Sequence, residues 1–246
     1  MSLETKEDGD KVHYPKRRDV FEFDAEVAAH FDSMAVRSIP MYAEVHRLHT
    51  SLLRPYLQPG TVIVDIGSST GMTFRAIEKE LGKPLKDTGM CAYAIDSSSA
   101  MNIRMALQFP SVLCYTKDIA DMFTLPLRAD IVFAYYVLQF LPTEKRGRAL
   151  SWIASNLKEG GILVLGQKDN TSGEPFDSSM GEEYYKFRRD NGYTQAEIDA
   201  KTAALRNSMW PVLNDTLRAE LRLHGFDFVE TSRWLQFSTM LAVKRG

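Results

Sequence analysis

The chain has 246 residues, with 30 Lys and Arg against 32 Asp and Glu and a formal charge of −2. That length suits one full-sized domain, able to bury about 70–75% of its unfolded surface without disulfide staples. The charge balance excludes a dedicated nucleic-acid binder, which carries a basic surplus. Two cysteines, Cys91 and Cys114, cannot build a disulfide framework; each lies in an apolar run and is expected as a buried free thiol in a reducing, cytoplasmic setting. The longest apolar stretch, residues 131–141, is far short of the ~20 residues that span a bilayer, so no membrane partner is expected. The polar, acidic start does not read as a signal peptide, and residues 1–18 are expected to be mobile.

From residue 61 onward, strand-like and helix-like segments alternate. Residues 61–66 form a near-continuous apolar run, followed by a helical pattern over 73–81. A second run at 91–96 precedes a helix over 100–109, and further runs follow at 112–115 and 130–137. A helix over 143–157 leads to a fifth run at 161–166. Runs apolar on both faces suit strands of a parallel sheet covered by helices. Residues 169–222 interrupt the alternation: Thr194 and Glu197 read as a capping box, Ser179 as a possible helix start, and Pro211 as the stop of a helix through Met209. A further helix runs to His224, and 226–233 and 236–244 pair as a hairpin. The expected fold is α/β and Rossmann-like, the class I methyltransferase arrangement. It has a mainly parallel seven-stranded sheet, a C-terminal antiparallel hairpin and a helical lid or dimerisation insertion, all within one domain over 19–246.

Three acidic positions stand at the carboxyl ends of successive strands, the edge where open α/β sheets bind ligands. Asp65 opens Asp65-Ile66-Gly67-Ser68-Ser69-Thr70-Gly71, a strand-to-helix turn where glycine permits a sharp bend and close ligand approach; the alternative is an ordinary turn of another α/β protein. The usual pattern has three alternate glycines, and Ser69 replaces the middle one. Asp96 with Ser97 follows 25 residues after Gly71, suiting a carboxylate that accepts ribose hydroxyls, or equally a helix cap. Asp118 with Ile119 suits an adenine site. His46 and His49 have the wrong spacing for an i, i+4 metal pair and are expected on a helix surface; no metal is expected. Trp152 and Trp210 are expected in core or interface packing.

The chain resembles the carboxy-S-adenosylmethionine synthases of tRNA wobble-uridine modification. The resemblance rests on Arg37-Ser38-Ile39-Pro40-Met41-Tyr42, the 65–71 loop with its middle serine, Leu138-Gln139-Phe140-Leu141, Asn191-Gly192-Tyr193 and Leu241-Ala242-Val243-Lys244. It implies S-adenosylmethionine (SAM) or carboxy-SAM as cofactor, and the expected cofactor-binding residues are Tyr42, Asp65, Gly67, Ser68, Ser69, Gly71, Asp96, Ser97, Asp118, Ile119 and Tyr135. It also implies a homodimer. Tyr135 stands where the family has an asparagine, and it is the candidate catalytic residue. The arginine that grips the extra carboxylate falls on Thr202; Lys201 is expected to point away, and Arg206 could substitute. The leading reading is therefore a SAM-dependent methyltransferase of this group acting on a small molecule. Carboxy-SAM synthesis from SAM and prephenate is one alternative, and a non-catalytic SAM-binding protein the other. Lys168, Arg188 and Arg189 could orient an anionic acceptor but are expected as solvated surface charge.

Overall fold

In the computed structural model, residues 22–121, 128–170, 175 and 177–246 are described. The segment 1–18, expected to be mobile, lies outside them. The apolar runs form β1 (Val62–Ile66), β2 (Cys91–Asp96), β3 (Leu113–Thr116), β4 (Ala129–Tyr135) and β5 (Leu157–Lys168). The C-terminal segments form β6 (Phe226–Trp234) and β7 (Phe237–Lys244). The seven strands lie in the order β3-β2-β1-β4-β5-β7-β6. Pairing is parallel from β3 to β5 and antiparallel on both sides of β7. The strand order reverses between β1 and β4, which opens a crevice at their carboxyl ends.

Parallel neighbours need crossover helices. Here α1 (Ala25–Ser38) and α2 (Tyr42–Leu53) precede β1, α3 (Met72–Leu81) follows it, and α4 (Ser99–Gln108) follows β2. Between β4 and β5 runs α5 (Thr143–Asn156); α6 (Asp177–Asp190), α7 (Gln195–Leu205) and α8 (Asn214–Leu223) separate β5 from β6. Side-chain alternation along β1 sends Val62, Val64 and Ile66 to one face with Trp152, Ile153, Leu217 and Leu221 of α5 and α8. Ile63 goes to the other face with Val45, Leu53, Phe74 and Ile77 of α2 and α3. Of the 169–222 stretch, α8 thus packs into the core, whereas residues of α6 and α7 line a cavity.

Several local expectations need correction. The thiols are not buried: Cys91 is exposed and Cys114 half-buried. Cys91 opens β2, where burial starts one residue later, and Cys114 lies on the edge strand β3. Strand β5 begins four residues before the apolar run because Leu157 pairs with Ala129 ahead of a register shift; the exposed Lys158 and Glu159 in between carry no apolar signal. Helix α6 opens at Asp177, before Ser179, and α7 ends at Leu205, well short of Pro211. The capping box is present, with the Thr194 amide donating to Glu197 Oε2 at 2.7 Å.

One buried charge ties α5 to α8. Arg146, 1% exposed, donates from Nε and Nη2 to the two carboxylate oxygens of Glu220, both at 2.8 Å. Removing the carboxylate strands a desolvated guanidinium. Glu220→Ala should therefore lower the unfolding free energy by about 3 kcal/mol in urea titrations, far more than a surface ion pair is worth.

Candidate cofactor and substrate site

A cavity of about 440 Å³ opens at the carboxyl ends of β1, β2 and β4. It is lined by Tyr42, Asp65, Gly67, Ser68, Ser69, Asp96, Ser97, Asp118, Ile119 and Tyr135, every sequence-selected residue except Gly71. Gly71 has a different task. It caps α3 with φ +92°, and a Cβ there would stand 2.5 Å from the Phe109 ring, so close helix packing requires glycine.

The loop after β1 is held by the end of β2. The Gly67 amide donates to the Ile95 carbonyl at 2.7 Å, and the Ser69 amide donates to Asp96 Oδ2 at 2.9 Å. Ser69 takes φ +48°, the left-handed conformation for which the generic motif uses glycine, at a cost of about 1 kcal/mol. Asp96 also receives the Ser98 amide at 2.8 Å, but the cap of α4 is Ser98 itself, whose hydroxyl accepts the Met101 amide at 3.2 Å; the helix-cap role that the sequence left open for Asp96 thus falls to its neighbour. Burial raises the Asp96 pKa despite these two donors. Asp65, fully buried, is pushed up to about 8 by desolvation, against a hydrogen bond from Thr73. Burial alone would raise Asp118, but the Ala120 amide and Lys145, each at 2.9 Å, hold it below the ordinary carboxylate value.

This end of the cavity is acceptor-rich. The amides of Gly67, Ser68 and Ser69 are all engaged by β2. Ser68 Oγ is buried without a hydrogen-bond partner among the described residues. An orphaned hydroxyl beside two buried carboxylates fits a ligand that carries donors and positive charge, such as an amino-acid ammonium and a ribose diol.

The opposite end is basic, which corrects the sequence reading. Lys201 does not point away: it is 6% exposed, lines the cavity, and donates from Nζ to Ser38 Oγ at 2.7 Å. Its neighbour Thr202 instead returns its hydroxyl to the Ile198 carbonyl within α7, and Arg206 is exposed and does not line the cavity. The spacing of Lys201 from fully buried Ile198, i to i+3, was the available signal. Lys168 lines the same end, with Nζ 4.8 Å from the centre of the Tyr184 ring. Arg188 is buried, not solvated, over Tyr193 at 5.0 Å, and its Nε and Nη2 have no hydrogen-bond partner among the described residues. Arg189, by contrast, is exposed as expected. Burial, with the charge of Arg188, lowers Lys168 to about 8, and Lys201 is lowered by burial and then by Arg188, Arg37 and Lys168.

The histidines are also corrected. His46 and His49 are 2% and 0% exposed, because α2 buries residues 42, 45, 46, 49, 50 and 53, an i, i+3, i+4, i+7 stripe. His46 Nδ1 bonds the Tyr42 carbonyl at 2.7 Å, and His49 Nδ1 bonds the Tyr135 hydroxyl at 2.6 Å. Trp152 is core as expected, whereas Trp210 is 42% exposed and lines the cavity rim. Above the strand ends, Phe23, Phe31, Met34 and Ser38, in and just before α1, roof the cavity. A bond from Thr70 to Asp32 ties that helix to the loop after β1, and a bond from Arg75 to Asp32 at 3.1 Å ties it to α3.

The fold is that of a class I methyltransferase. A family model described as a methyltransferase domain matches residues 64–165. The chain aligns with magnesium protoporphyrin IX methyltransferase from Synechocystis, solved with bound SAH, at TM-score 0.58 and 18% identity over 87% of this chain and 86% of that one. It aligns with human N-acetylserotonin methyltransferase, solved with SAM, at TM-score 0.58 and 15% identity over 91% of this chain and 57% of that one. Sequence relatives narrow the class. The carboxy-S-adenosyl-L-methionine synthase of Helicobacter hepaticus is 35% identical over 231 residues, covering 91% of this chain and 95% of the relative. That of Campylobacter fetus is also 35% identical, covering 91% and 94%. The chain belongs to the carboxy-S-adenosyl-L-methionine synthase family.

Burial of the α2 histidines has a pH signature. Desolvation lowers His46 from its ordinary 6.5 to about 4, so its contribution to stability is complete above pH 6.5 and is lost as pH falls toward 4. His46→Phe removes that proton uptake. The stability difference, wild type minus variant, should fall by about 1.4 kcal/mol per pH unit between these limits in urea unfolding.

Proposed function

We propose that the chain is a SAM-dependent transferase that holds SAM along the β1–β3 end of the cavity and a small anionic molecule at the α6–α7 end. The observation that carries this reading is that one cavity is lined by Asp65 and Asp96, from β1 and β2, and by Lys168 and Lys201, from β5 and α7; Lys145, which also lines it, is paired with Asp118. When bound, SAM supplies a methyl group activated by a sulfonium. Asp96 has lone pairs left for ribose hydroxyls after serving Ser69 and Ser98, and Ser97 lies beside it. Asp65 would balance the ammonium of the amino-acid end, with Tyr42 and Ser68 nearby, and Asp118 and Ile119 would border the adenine. Lys168 and Lys201 would orient the anion, α1 and α7 would exclude water, and Tyr135 would meet the acceptor. The same proposal includes a cytoplasmic homodimer without direct nucleic-acid binding; light scattering of the purified chain checks the mass.

Lys201 also supports a second reading, carboxy-SAM synthesis. A carboxylate in a closed site needs a cationic partner, and the ammonium that lines this cavity supplies one where Thr202 cannot. Incubation with SAM and prephenate should then give a product heavier than SAM by one carbon dioxide; a blank mass spectrum would exclude this reading and leave methyl transfer to small acids such as 4-hydroxybenzoate as the measure of the first.

For the shared SAM site, Asp96→Ala should weaken SAM binding by about tenfold or more in calorimetry, since it removes charge-assisted hydrogen bonds. Unchanged affinity would sink the ribose placement.

A further inference from the structure

A line of hydrogen-bonded side chains leaves the cavity wall and crosses the α2 face of the sheet to its outermost strand. Tyr135, on β4, lines the cavity, and its hydroxyl bonds His49 Nδ1 at 2.6 Å. His49 Nε2 bonds Thr231 Oγ1 at 2.7 Å. Thr231 Oγ1 bonds Thr239 Oγ1 at 2.9 Å, and Thr239 Oγ1 bonds Ser232 Oγ at 2.7 Å. Ser232 is half-buried on β6, the edge strand. A β-bulge makes the last two steps possible. The register jumps between Glu230 and Ser232, so Thr231 is an extra residue and both hydroxyls oppose the single Thr239.

Burial keeps both ring members of this line uncharged near pH 7. Desolvation lowers His49 to about 4 and raises the Tyr135 phenol well above its ordinary range. A neutral imidazole has one donor and one acceptor nitrogen, so the direction of every bond in the line is coupled. In one arrangement Tyr135 donates to Nδ1, Nε2–H donates to Thr231, and Tyr135 presents a lone pair elsewhere. In the other, Nδ1–H donates to Tyr135, Thr231 donates to Nε2, and the phenolic proton is released from the line.

We propose that Tyr135, His49, Thr231, Thr239 and Ser232 form a proton wire from the cavity to the sheet edge, operated by exchange between the two neutral tautomers of His49. This inference rests on the transferase reading above, in which an acceptor hydroxyl must shed a proton inside a closed cavity. The proton enters at Tyr135 Oη, and the phenolic proton passes to His49 Nδ1. The Nε2 proton passes to Thr231, that of Thr231 to Thr239, that of Thr239 to Ser232, and that of Ser232 to water. Every residue ends with the proton count it began with. No buried imidazolium forms, so the low basicity of His49 is no barrier. His49 and Thr231 are positioning and relay residues; Tyr135 alone faces the reacting molecule.

Thr231→Val removes one hydroxyl and little volume, whereas Thr231→Ser retains the hydroxyl. Ring 15N spectra of the full chain with labelled histidine read the His49 tautomer directly. The expected result is a neutral His49 at pH 7 whose tautomer ratio moves in Thr231→Val and stays at the wild-type value in Thr231→Ser. Single-turnover methylation of 4-hydroxybenzoate should fall about a hundredfold in the valine variant and recover in the serine variant, with SAM affinity by calorimetry unchanged. An unmoved tautomer in Thr231→Val, a charged His49 at pH 7, or equal rates in the two variants would each overturn the wire. Absence of transfer to this probe by the wild type would count against the transferase reading alone, and the tautomer comparison would still decide the wire.

Discussion

The Asp96 carboxylate is the bond on which the site depends. It sits at the end of β2, accepts the amide of Ser69 from the loop after β1, and accepts the amide of Ser98 at the start of α4. Charge-assisted bonds of this kind offset the strain of a serine in left-handed conformation, so the loop can turn without the middle glycine of the generic pattern. The same arrangement spends the loop's amides on β2. What the loop leaves toward the cavity is acceptor chemistry: the Ser68 hydroxyl and the Asp65 and Asp96 carboxylates. That is the opposite of a phosphate-binding loop, which turns its amides toward an anion. A cationic, hydroxyl-bearing ligand is the one that such a surface complements.

Desolvation gives the two ends of the cavity their strength. A carboxyl pushed up to about 8 at one end and an ammonium lowered to about 8 at the other are both groups whose charged forms lack water. Each charged form is favoured by a ligand group of opposite sign, more effectively in a low-dielectric cavity than at the surface. Of the basic end, Lys168 closes β5, whereas Lys201 comes from α7 and Arg188 from α6, helices absent from the regular strand–helix alternation, so part of the second half of the site is an addition to that alternation. Ser38 joins the parts: its hydroxyl receives Lys201 Nζ, its side chain bonds the Tyr193 hydroxyl at 3.0 Å, and its carbonyl receives the Tyr184 hydroxyl at 3.0 Å. The roof helix α1 is thereby held by the added helices at its carboxyl end and by Thr70 and Arg75 at Asp32, in its middle.

The C-terminal hairpin does more than close the sheet. Its bulge brings three hydroxyls together and sets them against His49, one stripe position of α2. A helix that covers the sheet with histidines at two stripe positions must satisfy their ring nitrogens, because an orphaned buried nitrogen is costly. His46 bonds one nitrogen, Nδ1, within its own helix, and His49 bonds both, to Tyr135 and to Thr231 across the sheet.

Much of this was legible in the chain. Apolar runs of strand length, separated by helical periodicity, determine a parallel α/β sheet, because strands covered on both faces can be built from little else. Asp65, Asp96 and Asp118 were legible as a site because each ends such a run, and the sheet edge is where those ends meet. The Thr194 box marked α7 for a local reason, since capping involves residues three apart. Only the tertiary structure decided the rest. Lys201, Arg188, His46 and His49 are polar by type and buried by circumstance, and Cys91 is apolar in its run but exposed at a strand start. Thr202 or Lys201 as the cavity-facing residue depended on the rotation of one helix about its axis. Residues 49, 135, 231 and 239 are neighbours only because β4, β6, β7 and α2 pack together. Periodicity and strand ends are written in the order of residues, whereas burial and pairing depend on what another part of the chain places against them.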